Sequence, residues 1–493
     1  MDTCELASNP RKKRSDKEIG RFLRRLNFIR FGKKTVALSK DAPFLFEVGD
    51  LRKFCRGNKF FISPGIVKDY ALLKKYGYIP PIKPEQKTEA PNAYLSLHVA
   101  HECNLACDYC FVKKGMPLSH IKLMSSATVK KAIDFFYRNN SSRKCKIYFV
   151  GGEPLLNMSA IKTAIEEIKK HPDRETQLKV LTNGTLLDKE KASFLSRNKV
   201  AIGVSYDAIR KENDRKRRFK NGGKTSRKIL ENIGVLRDMG IEVDSVKATI
   251  AEDSPYSLLD FAKSYKKIPI HPSRYRFSYE YSYPPRGLKK SAIPETEEYF
   301  DTILKRIKRG SKVWEEFPLN GNGQILFRLG FPMLQPPMVG CGFNKYRNLI
   351  TPEGKFYFCE LLVNKEEFYV GSLQEGVKQA HLARFQKIYR MDNEKCGKCW
   401  AKSVCVPGCP LVNVNKKALT ERCEVNKLEI KKMIEAYVRF KPEDLRLLYK
   451  HSDLSKKKKA QVDEIIAVGC GIRNFLRQNT SELMPLNIWP YGR

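Results

Sequence analysis

From Tyr94 onward the chain alternates short apolar segments with amphipathic segments, and this alternation limits the possible folds more than any other feature. Short apolar runs bounded by polar turns are typical of buried strands, and apolar residues at every third or fourth position are typical of helices. Strands that alternate with helices form parallel βα units. The predicted strands cover residues 94–99, 146–150, 178–182, 201–206, 243–250 and 275–279, with helices such as 126–138, 160–170 and 226–239 between them.

Six such units predict an α/β fold in which the strands form an open, partial (β/α)6 barrel of the TIM type. In barrels of this kind the ligand site lies at the C-terminal ends of the strands, because the loops that follow the strands meet there. Functional side chains are therefore expected directly after each predicted strand. The barrel is predicted to cover residues 92–310.

The regions on either side of the barrel differ from it in composition. Residues 1–91 combine a basic tail, a small strand-and-helix module and a proline-rich linker. Residues 311–425 hold most of the remaining cysteines, and residues 426–493 form a helical extension with a polar tail. We therefore predict four regions. Their predicted elements are one or two strands within 35–48, a helix at 64–76, the linker at 77–91, strands at 348–350 and 355–358, and a helix at 425–440.

The chain carries 93 lysines and arginines against 54 aspartates and glutamates, a formal net charge of +39. This excess fits an acidic peptide or a nucleic acid as partner, and it also fits solvated basic faces without any partner. Nucleic acid is the weaker interpretation, because the chain has no RNA-recognition signature and its aromatic residues are not concentrated in the basic stretches. No apolar run is long enough for a membrane helix and no signal sequence is present, so we expect a cytoplasmic protein without a membrane partner.

Three of the 14 cysteines fall in one short loop directly after the first predicted strand. Cys103, Cys107 and Cys110 have the spacing C-x3-C-x2-C. In a reducing compartment such a group indicates metal ligation or redox chemistry rather than disulfides. Three thiolates on a tight loop can hold three irons of a [4Fe–4S] cluster and leave the fourth iron open. A closed zinc site is the alternative, and it fits less well because the nearby candidates for a fourth ligand, His98 and His101, both precede the loop.

This loop resembles the cysteine motif of radical S-adenosylmethionine (SAM) enzymes. The resemblance implies that the three cysteines ligate the cluster and that the open iron chelates the amino and carboxyl groups of SAM. An electron from the cluster would then cleave SAM into methionine and a 5′-deoxyadenosyl radical, which abstracts a hydrogen atom from the substrate. The chain is therefore expected to be an enzyme that uses SAM and an iron–sulfur cluster.

Further motifs of the same family stand at the ends of successive predicted strands. The sequence GGEP follows the second strand, where glycines let the backbone approach SAM and Glu153 can accept from its ammonium group. Asn183, in TNGT, ends the third strand. Each motif is weak alone, and the signal comes from their order along the chain. The residues that the resemblance assigns to SAM binding are Tyr109, Phe111, Gly151, Gly152, Glu153, Asn183, Ser205, Asp207 and Lys247.

A second group of seven cysteines lies in residues 311–425 and resembles the SPASM extension of peptide-maturing radical SAM enzymes. The resemblance implies two auxiliary [4Fe–4S] clusters, which makes three clusters in all. One of them lacks a fourth cysteine, so one iron is either open, for example to a substrate thiolate, or bound by another group. A zinc ribbon is the alternative interpretation. The implied ligands are Cys341, Cys359 and Cys409 for the first auxiliary cluster, and Cys396, Cys399, Cys405 and Cys423 for the second.

Glu360 directly follows Cys359 and is the candidate catalytic residue. Anaerobic sulfatase maturases, which the chain resembles, carry an aspartate here that is proposed as a base, and six-cysteine-peptide maturases carry a histidine. A carboxylate at this position could take the proton released when the substrate is oxidised. A surface glutamate without a catalytic function is an equally good interpretation.

Over residues 92–425 the chain is similar to maturases of the six-cysteine peptide, of quinohemoprotein amine dehydrogenase and of sulfatases. This resemblance predicts thioether or related crosslink formation in a ribosomally made peptide. Oxidation of a sulfatase side chain to formylglycine is the alternative within the class, and a basic metal-binding protein that interacts with RNA is the alternative outside it. The implied partners are a peptide or protein substrate, with an acidic leader that residues 20–85 would bind by strand addition as one candidate, and an electron donor such as flavodoxin or ferredoxin.

Residues 210–228 are strongly basic and are predicted to form a loop at the mouth of the barrel. Such a loop would attract an acidic substrate, and a solvated loop without a partner is the favoured interpretation. Similar enzymes carry the pattern HD-x-x-R here, whereas this chain has Asn213 in place of the histidine, followed by Asp214 and Arg217. The function of position 213 is therefore open. The remaining cysteines, which have no companions at ligand spacing and are predicted to be free thiols, with Cys55 or Cys145 in a core, are Cys4, Cys55, Cys145 and Cys470.

Overall fold

The computed structural model describes a central part of the chain and five short strands before it. The predicted helix at 64–76, the linker at 77–91 and the tail beyond residue 439 lie outside the described residues. So do Cys341, Cys409 and Phe111. The described residues are 93–110, 123–268, 270, 274–279, 292–309, 347–381, 383, 396, 399–401, 404–405 and 416–439, together with the strands within residues 26–60.

The strands that precede the barrel form two small antiparallel units. The strands β1 (Leu26–Phe31), β2 (Lys34–Ser39) and β3 (Leu45–Val48) form a sheet in that order. A separate pair consists of β4 (Cys55–Arg56) and β5 (Lys59–Phe60). The strands expected within residues 35–48 are thus present as β2 and β3, whereas β1 was not predicted.

The predicted barrel is present as six parallel strands that lie side by side in chain order. Helices connect these strands, so the α/β prediction is confirmed. Some strands extend beyond their predicted ends because the hydrogen-bond ladder continues through polar residues, such as the partners Lys144 and Glu175. The strands are β6 (Ala93–Ala100), β7 (Lys144–Gly151), β8 (Glu175–Thr182), β9 (Val200–Ser205), β10 (Val243–Ile250) and β11 (Tyr275–Tyr279).

Helices cover the outer face of this sheet and begin at capping side chains. Ser125 accepts a hydrogen bond from the backbone N–H of Thr128 (3.1 Å), and Asp188 accepts one from Lys191 (2.8 Å). Such caps satisfy N–H groups that have no partner inside the helix. The helices are α1 (Ser126–Arg138), α2 (Met158–Lys169), α3 (Lys189–Arg197), α4 (Arg210–Lys216), α5 (Ser226–Asp238), α6 (Leu258–Ser264) and α7 (Ala292–Lys308).

Residues 347–381 extend the barrel sheet at the β6 edge. The strand β12 (Arg347–Ile350) pairs in parallel with β6, and β13 (Lys355–Tyr357), β14 (Gly371–Ser372) and β15 (Gly376–Val377) follow in antiparallel order. The last described element, α8 (Lys416–Arg439), begins before the predicted start at residue 425. The sequence did not indicate the earlier start, because the first turns of the helix are charged and lack an apolar period. No helix in the described part of the chain is both long and apolar enough to cross a membrane.

The two faces of the barrel sheet differ in polarity. Leu95 and the buried Cys145, which was expected in a core, belong to the apolar cluster between sheet and helices. Because side chains alternate along a strand, the other face lines the inside of the curved sheet. That inner face carries polar and charged residues, including Ser96, Lys179 and Lys247. The barrel interior is therefore suited to a polar ligand rather than to a hydrophobic core.

Candidate active site

The cysteine loop (residues 101–110) follows β6 at the C-terminal mouth of the barrel. Its three thiols, those of Cys103, Cys107 and Cys110, are partly exposed. Burial, together with charge repulsion from Glu153 and the other two thiols of the loop, raises the pKa of Cys103 to about 12. The thiols are therefore close enough to influence one another. This placement agrees with the predicted position of the cluster ligands.

Two glycines hold the end of β7 against the cysteine loop. The backbone N–H of Gly152 donates to the carbonyl of Ala100, and that of Glu153 donates to the carbonyl of Glu102, each at 2.8 Å. A Cβ atom at Gly151 would lie 2.0 Å from the oxygen of Ala100, and one at Gly152 would lie 2.3 Å from the oxygen of Glu102. In this structure the glycines therefore allow the close approach of the loop itself, in addition to the approach to SAM that the sequence predicted.

Glu153 is fully buried behind this loop. Its carboxylate accepts hydrogen bonds from the Thr182 hydroxyl (2.7 Å), from the backbone N–H of Asn183 (2.7 Å) and from that of Leu155 (3.0 Å). Burial raises the pKa of Glu153, and these hydrogen bonds oppose the shift. Glu153 thus joins the C-terminal ends of β7 and β8. Its predicted contact with the SAM ammonium group stays a prediction.

Asn183 links the end of β8 to the same loop. Its side-chain nitrogen donates to Asn104 (2.8 Å) and lies 3.7 Å from the sulfur of Cys103. Its side-chain oxygen accepts from the backbone N–H of Thr185 at 2.9 Å. The amide is therefore fixed in orientation beside one of the thiols.

A buried charged network lies beneath the loop between Cys107 and Cys110. The Tyr109 hydroxyl donates to Asp207 (2.5 Å) and accepts from the guanidinium of Arg217 (3.0 Å). The second oxygen of Asp207 accepts from the backbone N–H of Thr249 at 2.9 Å. Tyr109 and Asp207 were predicted as SAM contacts. In this structure the Tyr109 hydroxyl is bonded both to Asp207 and to Arg217. The sequence offered one signal for Arg217, its place in the HD-x-x-R pattern.

The structure shows what Asn213 does in place of the histidine. The buried Asn213 accepts from the backbone N–H of Asp207 (3.3 Å) and donates to the hydroxyl of Thr225 (3.1 Å). Its neighbour Asp214 accepts from the backbone N–H of Ser226 (2.8 Å) at the start of α5. Position 213 is thus a neutral hydrogen-bonding residue that supports Asp207.

The prediction that residues 210–228 form a solvated loop is wrong for much of this segment. Residues 210–216 are the helix α4, and Lys216 and Arg217 are buried. Beyond α4 the backbone pairs with the cysteine loop: the N–H of Ala106 donates to Arg218 (2.8 Å), and that of Asp108 donates to Lys216 (3.0 Å). Charge alone suggested solvation, whereas local pairing with the loop and buried hydrogen bonds determine the structure.

Ser205 and Lys247 lie next to each other on β9 and β10, where they are partners in the strand register. Ser205 is partly exposed and Lys247 is exposed. Ser205 ends β9, Lys247 lies three residues before the end of β10, and both are on the inner face of the sheet. They are thus open toward the barrel interior, as their predicted function requires.

Four cysteines of the second group lie near one another. Burial, together with charge repulsion from the thiols of Cys399, Cys423 and Cys396, raises the pKa of Cys405 to about 12. The side-chain nitrogen of Asn426 lies 3.8 Å from the sulfur of Cys405. This arrangement supports the set predicted for the second auxiliary cluster.

Cys359 is the one described cysteine of the set predicted for the first auxiliary cluster. It is buried and accepts from the backbone N–H of Leu361 (3.4 Å) at the start of a short 3-10 helix, Glu360–Leu362. Glu360 accepts a hydrogen bond from the hydroxyl of Ser96 at 3.2 Å. Because Ser96 lies on the inner face of β6, the carboxylate of Glu360 reaches the barrel interior, which a surface glutamate would not do.

The donor chemistry of these sites fits iron–sulfur clusters, which proteins hold through cysteine thiolates. Both described groups offer thiols, and the glycine contacts fix the backbone on which one group stands. Among the described residues, no three His, Cys, Asp or Glu side chains converge closely enough to hold a single metal ion.

Comparison with known protein families identifies the central part of the chain. Residues 97–251 match the family model "Radical SAM superfamily". These residues form a radical SAM domain. The match covers the cysteine loop, the GGEP sequence and the strands β7 to β10, which are the parts of the site described above. Radical SAM domains are parts of enzymes that use SAM and a [4Fe–4S] cluster.

Relatives and solved structures extend the similarity beyond the radical SAM domain. A cysteine-type anaerobic sulfatase-maturating enzyme of Clostridium perfringens is 22% identical over 325 residues, which is 62% of this chain and 85% of the relative. A serine-type anaerobic sulfatase-maturating enzyme of Bacteroides thetaiotaomicron is 31% identical over 176 residues, 34% of this chain and 42% of the relative. The solved structure of native anSMEcpe with bound AdoMet and Kp18Cys peptide covers 71% of this chain and 100% of its own, with a TM-score of 0.58 and 19% identity. The structural similarity shows that the fold is shared.

Proposed function

We propose that this radical SAM enzyme modifies a side chain of a peptide or protein, by forming a thioether or a related crosslink in a ribosomally made peptide. The observation that carries the proposal is the hydrogen bond between Ser96 and Glu360. This bond places Glu360, the residue after Cys359, in the interior of the barrel. The cysteine loop lies at the mouth of the same barrel. A substrate in the barrel would therefore lie between a radical source and a second thiol-rich region.

Three clusters are proposed, with the ligands predicted above. When bound and reduced, the cluster at the cysteine loop supplies the electron that cleaves SAM and so produces the radical that abstracts hydrogen from the substrate. The chain's own residues fix this site: Gly152 docks β7 on the loop, and Asn183 holds Asn104. Ser205 and Lys247 are proposed to bind the polar groups of SAM, because they lie open to the barrel interior.

Glu360 is proposed as the base. A thioether forms when a substrate thiol loses its hydrogen and its sulfur bonds to a carbon that has also lost a hydrogen, so two protons and two electrons leave the peptide. An Oε atom of Glu360 would take the thiol proton. Bound SAM would account for one hydrogen atom, and an auxiliary cluster held by the cysteines named above would account for the remaining electron. The hydroxyl of Ser96 keeps the carboxylate in the barrel, as a positioned base requires.

Formylglycine formation in a sulfatase is the second candidate, because relatives named as sulfatase-maturating enzymes match this chain. Mass spectrometry distinguishes the products. A thioether consumes a cysteine thiol and retains its sulfur, whereas formylglycine made from cysteine loses sulfur, and formylglycine made from serine leaves every thiol open to alkylation.

A pool of synthetic acidic peptides that contain cysteine tests the proposal. We expect reconstituted enzyme, SAM and reductant to give a peptide that has lost two hydrogens and one alkylatable thiol. Glu360→Gln should abolish this product and still release 5′-deoxyadenosine. A variant that retains full crosslinking would refute the function of Glu360, and sulfur loss would favour formylglycine. Zinc in place of iron, with no SAM cleavage, would favour the RNA-interacting alternative.

The remaining features of the proposal concern organisation and partners. We propose a cytoplasmic enzyme whose N-terminal region (1–91) binds a leader segment of the substrate through residues 20–85. The barrel (92–310), the auxiliary-cluster region (311–425) and a C-terminal extension (426–493) follow. The small antiparallel sheet of β1, β2 and β3 supports the first assignment, because a sheet edge can pair with an added peptide strand. An electron donor such as flavodoxin or ferredoxin is required to reduce the cluster.

A further inference from the structure

Residues 216–224, here named the cationic hairpin, run along the cysteine loop. The hairpin turns between Phe219 and Gly223, where the backbone N–H of Phe219 donates to the carbonyl of Gly223 at 2.9 Å. Arg218 and Lys224 then pair in an antiparallel bridge. Its first strand is bonded to residues 104–108 of the loop, with Phe219 opposite Leu105. The hairpin is therefore the immediate neighbour of the segment between the first and the last cysteine of the loop.

The exposed side chains of the hairpin are positive. Arg218, Lys220 and Lys224 are exposed, and of these only Lys220 forms an ion pair in the described part of the chain, with Glu102 at 3.6 Å. The guanidinium of Arg218 donates to the backbone carbonyl of Asp214 at 3.1 Å. Because Arg218 and Lys224 are bridge partners, two like charges face each other across the hairpin, an arrangement that costs stability. An anionic partner would remove this cost.

Nearby residues strengthen the positive field. Arg210 and Lys211 on α4 and Lys228 on α5 are exposed and form no ion pair with any described residue. The acidic Asp214 is engaged at the start of α5, where it accepts from Ser226. The exposed cations around the hairpin outnumber the carboxylates of Glu102, Asp108 and Asp253 beside it. Such an excess of positive charge attracts anionic partners and accelerates their association.

The cysteine loop is accessible beside this surface. Cys107 and Cys110 are partly exposed, and Asp108 between them has 61% of its side chain exposed. The backbone of Asp108 is bonded to Lys216 of the hairpin. A protein bound on the hairpin would thus be in contact with the part of the loop that carries two of the three thiols.

We propose that the cationic hairpin is the docking surface for an acidic electron-donor protein of the flavodoxin type. This proposal rests on the proposed cluster at Cys103, Cys107 and Cys110. The flavin hydroquinone of the donor gives up one electron and becomes a semiquinone, the cluster takes up that electron, and no bond forms or breaks. Redox partners form small, short-lived complexes, for which complementary charge raises the association rate.

A small protein fits this surface better than the other anionic partners. The peptide substrate has to reach the barrel interior, where Ser96 and Glu360 meet, whereas the hairpin is bonded along residues 104–108 of the cysteine loop. Single-stranded nucleic acid binds to stacked aromatic platforms. The hairpin offers one aromatic residue, the partly buried Phe219.

Charge reversal tests the proposal. We compare Arg218→Glu/Lys224→Glu with a control of equal charge change, Lys130→Glu/Lys131→Glu, on exposed residues of α1. Anaerobic stopped-flow measures cluster bleaching by flavodoxin hydroquinone and, separately, by dithionite, and biolayer interferometry measures binding of oxidised flavodoxin. At low salt we expect the hairpin variant to be reduced by flavodoxin at least about tenfold more slowly than the control, with weaker binding and an unchanged dithionite rate. High salt should remove the difference.

Each of the remaining outcomes refutes either the docking surface or the proposed function. Equal flavodoxin rates for hairpin variant and control refute the docking surface. The same holds if flavodoxin reduction is unchanged while binding of a synthetic acidic peptide is lost, because the surface would then bind the substrate. Should the hairpin variant fold poorly, Arg218→Gln/Lys224→Gln serves instead, with a smaller expected decrease. A wild-type protein without a dithionite-reducible cluster refutes the proposed function, and the docking proposal with it.

Discussion

Arg217 and Asp207 should stabilise the fold as a coupled pair of buried charges. Asp207 is fully buried, Arg217 is 7% exposed, and the Tyr109 hydroxyl connects them through bonds of 2.5 and 3.0 Å. Arg217→Met leaves the carboxylate buried with only neutral donors around it, and Asp207→Asn leaves the guanidinium buried without a carboxylate. Removing one member of a buried ion pair costs about 3 to 5 kcal/mol. We expect each single variant to lose that much stability.

The double variant should lose less than the sum of the two single variants. With both charges removed, no buried ion stands alone, and contacting residues in one network show coupling energies of about 0.5 to 3 kcal/mol. We expect a coupling near the upper end, about 2 kcal/mol or more. Anaerobic pulse proteolysis of the reconstituted protein at graded urea concentrations gives the unfolding free energies.

Arg227→Met removes an exposed arginine that pairs with Glu231 and should leave the urea midpoint unchanged. Additive effects of Asp207→Asn and Arg217→Met, or single effects no larger than that of the control, would show that the network does not stabilise the loop.

Two further predictions concern the backbone and pH. Gly152→Ala should destabilise the protein by about 2 kcal/mol or more and lower its iron content, because the new Cβ would lie 2.3 Å from a backbone oxygen. The control, Gly234→Ala, lies on a helix with open space around it and should stabilise the protein by about 0.5 to 1 kcal/mol. Equal urea midpoints for the two variants would contradict the prediction for Gly152. Burial raises the pKa of Glu429 from 4.5 to about 7, so the folded protein holds a proton that the unfolded chain has lost, and stability should fall by up to about 3 kcal/mol as pH rises from about 4.5 to 7. Glu429→Gln should remove this decline in urea titrations at several pH values, and an unchanged slope would refute it.

The sequence predicted the parts of this molecule that depend on local pattern. The strands β10 and β11 and the helix α1 lie at the predicted residues, because apolar periodicity and a capping serine act over a few positions. The cysteine loop was recognised from spacing alone. These features need no knowledge of which distant segments meet.

Features that depend on distant segments could not be predicted in the same way. Tyr109 and Arg217 are 108 positions apart, and Ser96 and Glu360 are 264 positions apart. No local pattern states that β12 would extend the sheet beside β6. The basic segment was misjudged for the same reason, because the burial of Arg217 depends on the loop that covers it.

The most direct test of the central claim is SAM cleavage by a chain whose cysteine loop has been emptied. Reconstituted wild-type protein should contain about twelve irons if all three clusters are present, and the Cys103→Ala/Cys107→Ala/Cys110→Ala variant about eight. On reduction with dithionite, the wild type should release 5′-deoxyadenosine and the variant none. If the variant cleaves SAM at the wild-type rate, or contains as much iron as the wild type, the cysteine loop does not hold the catalytic cluster.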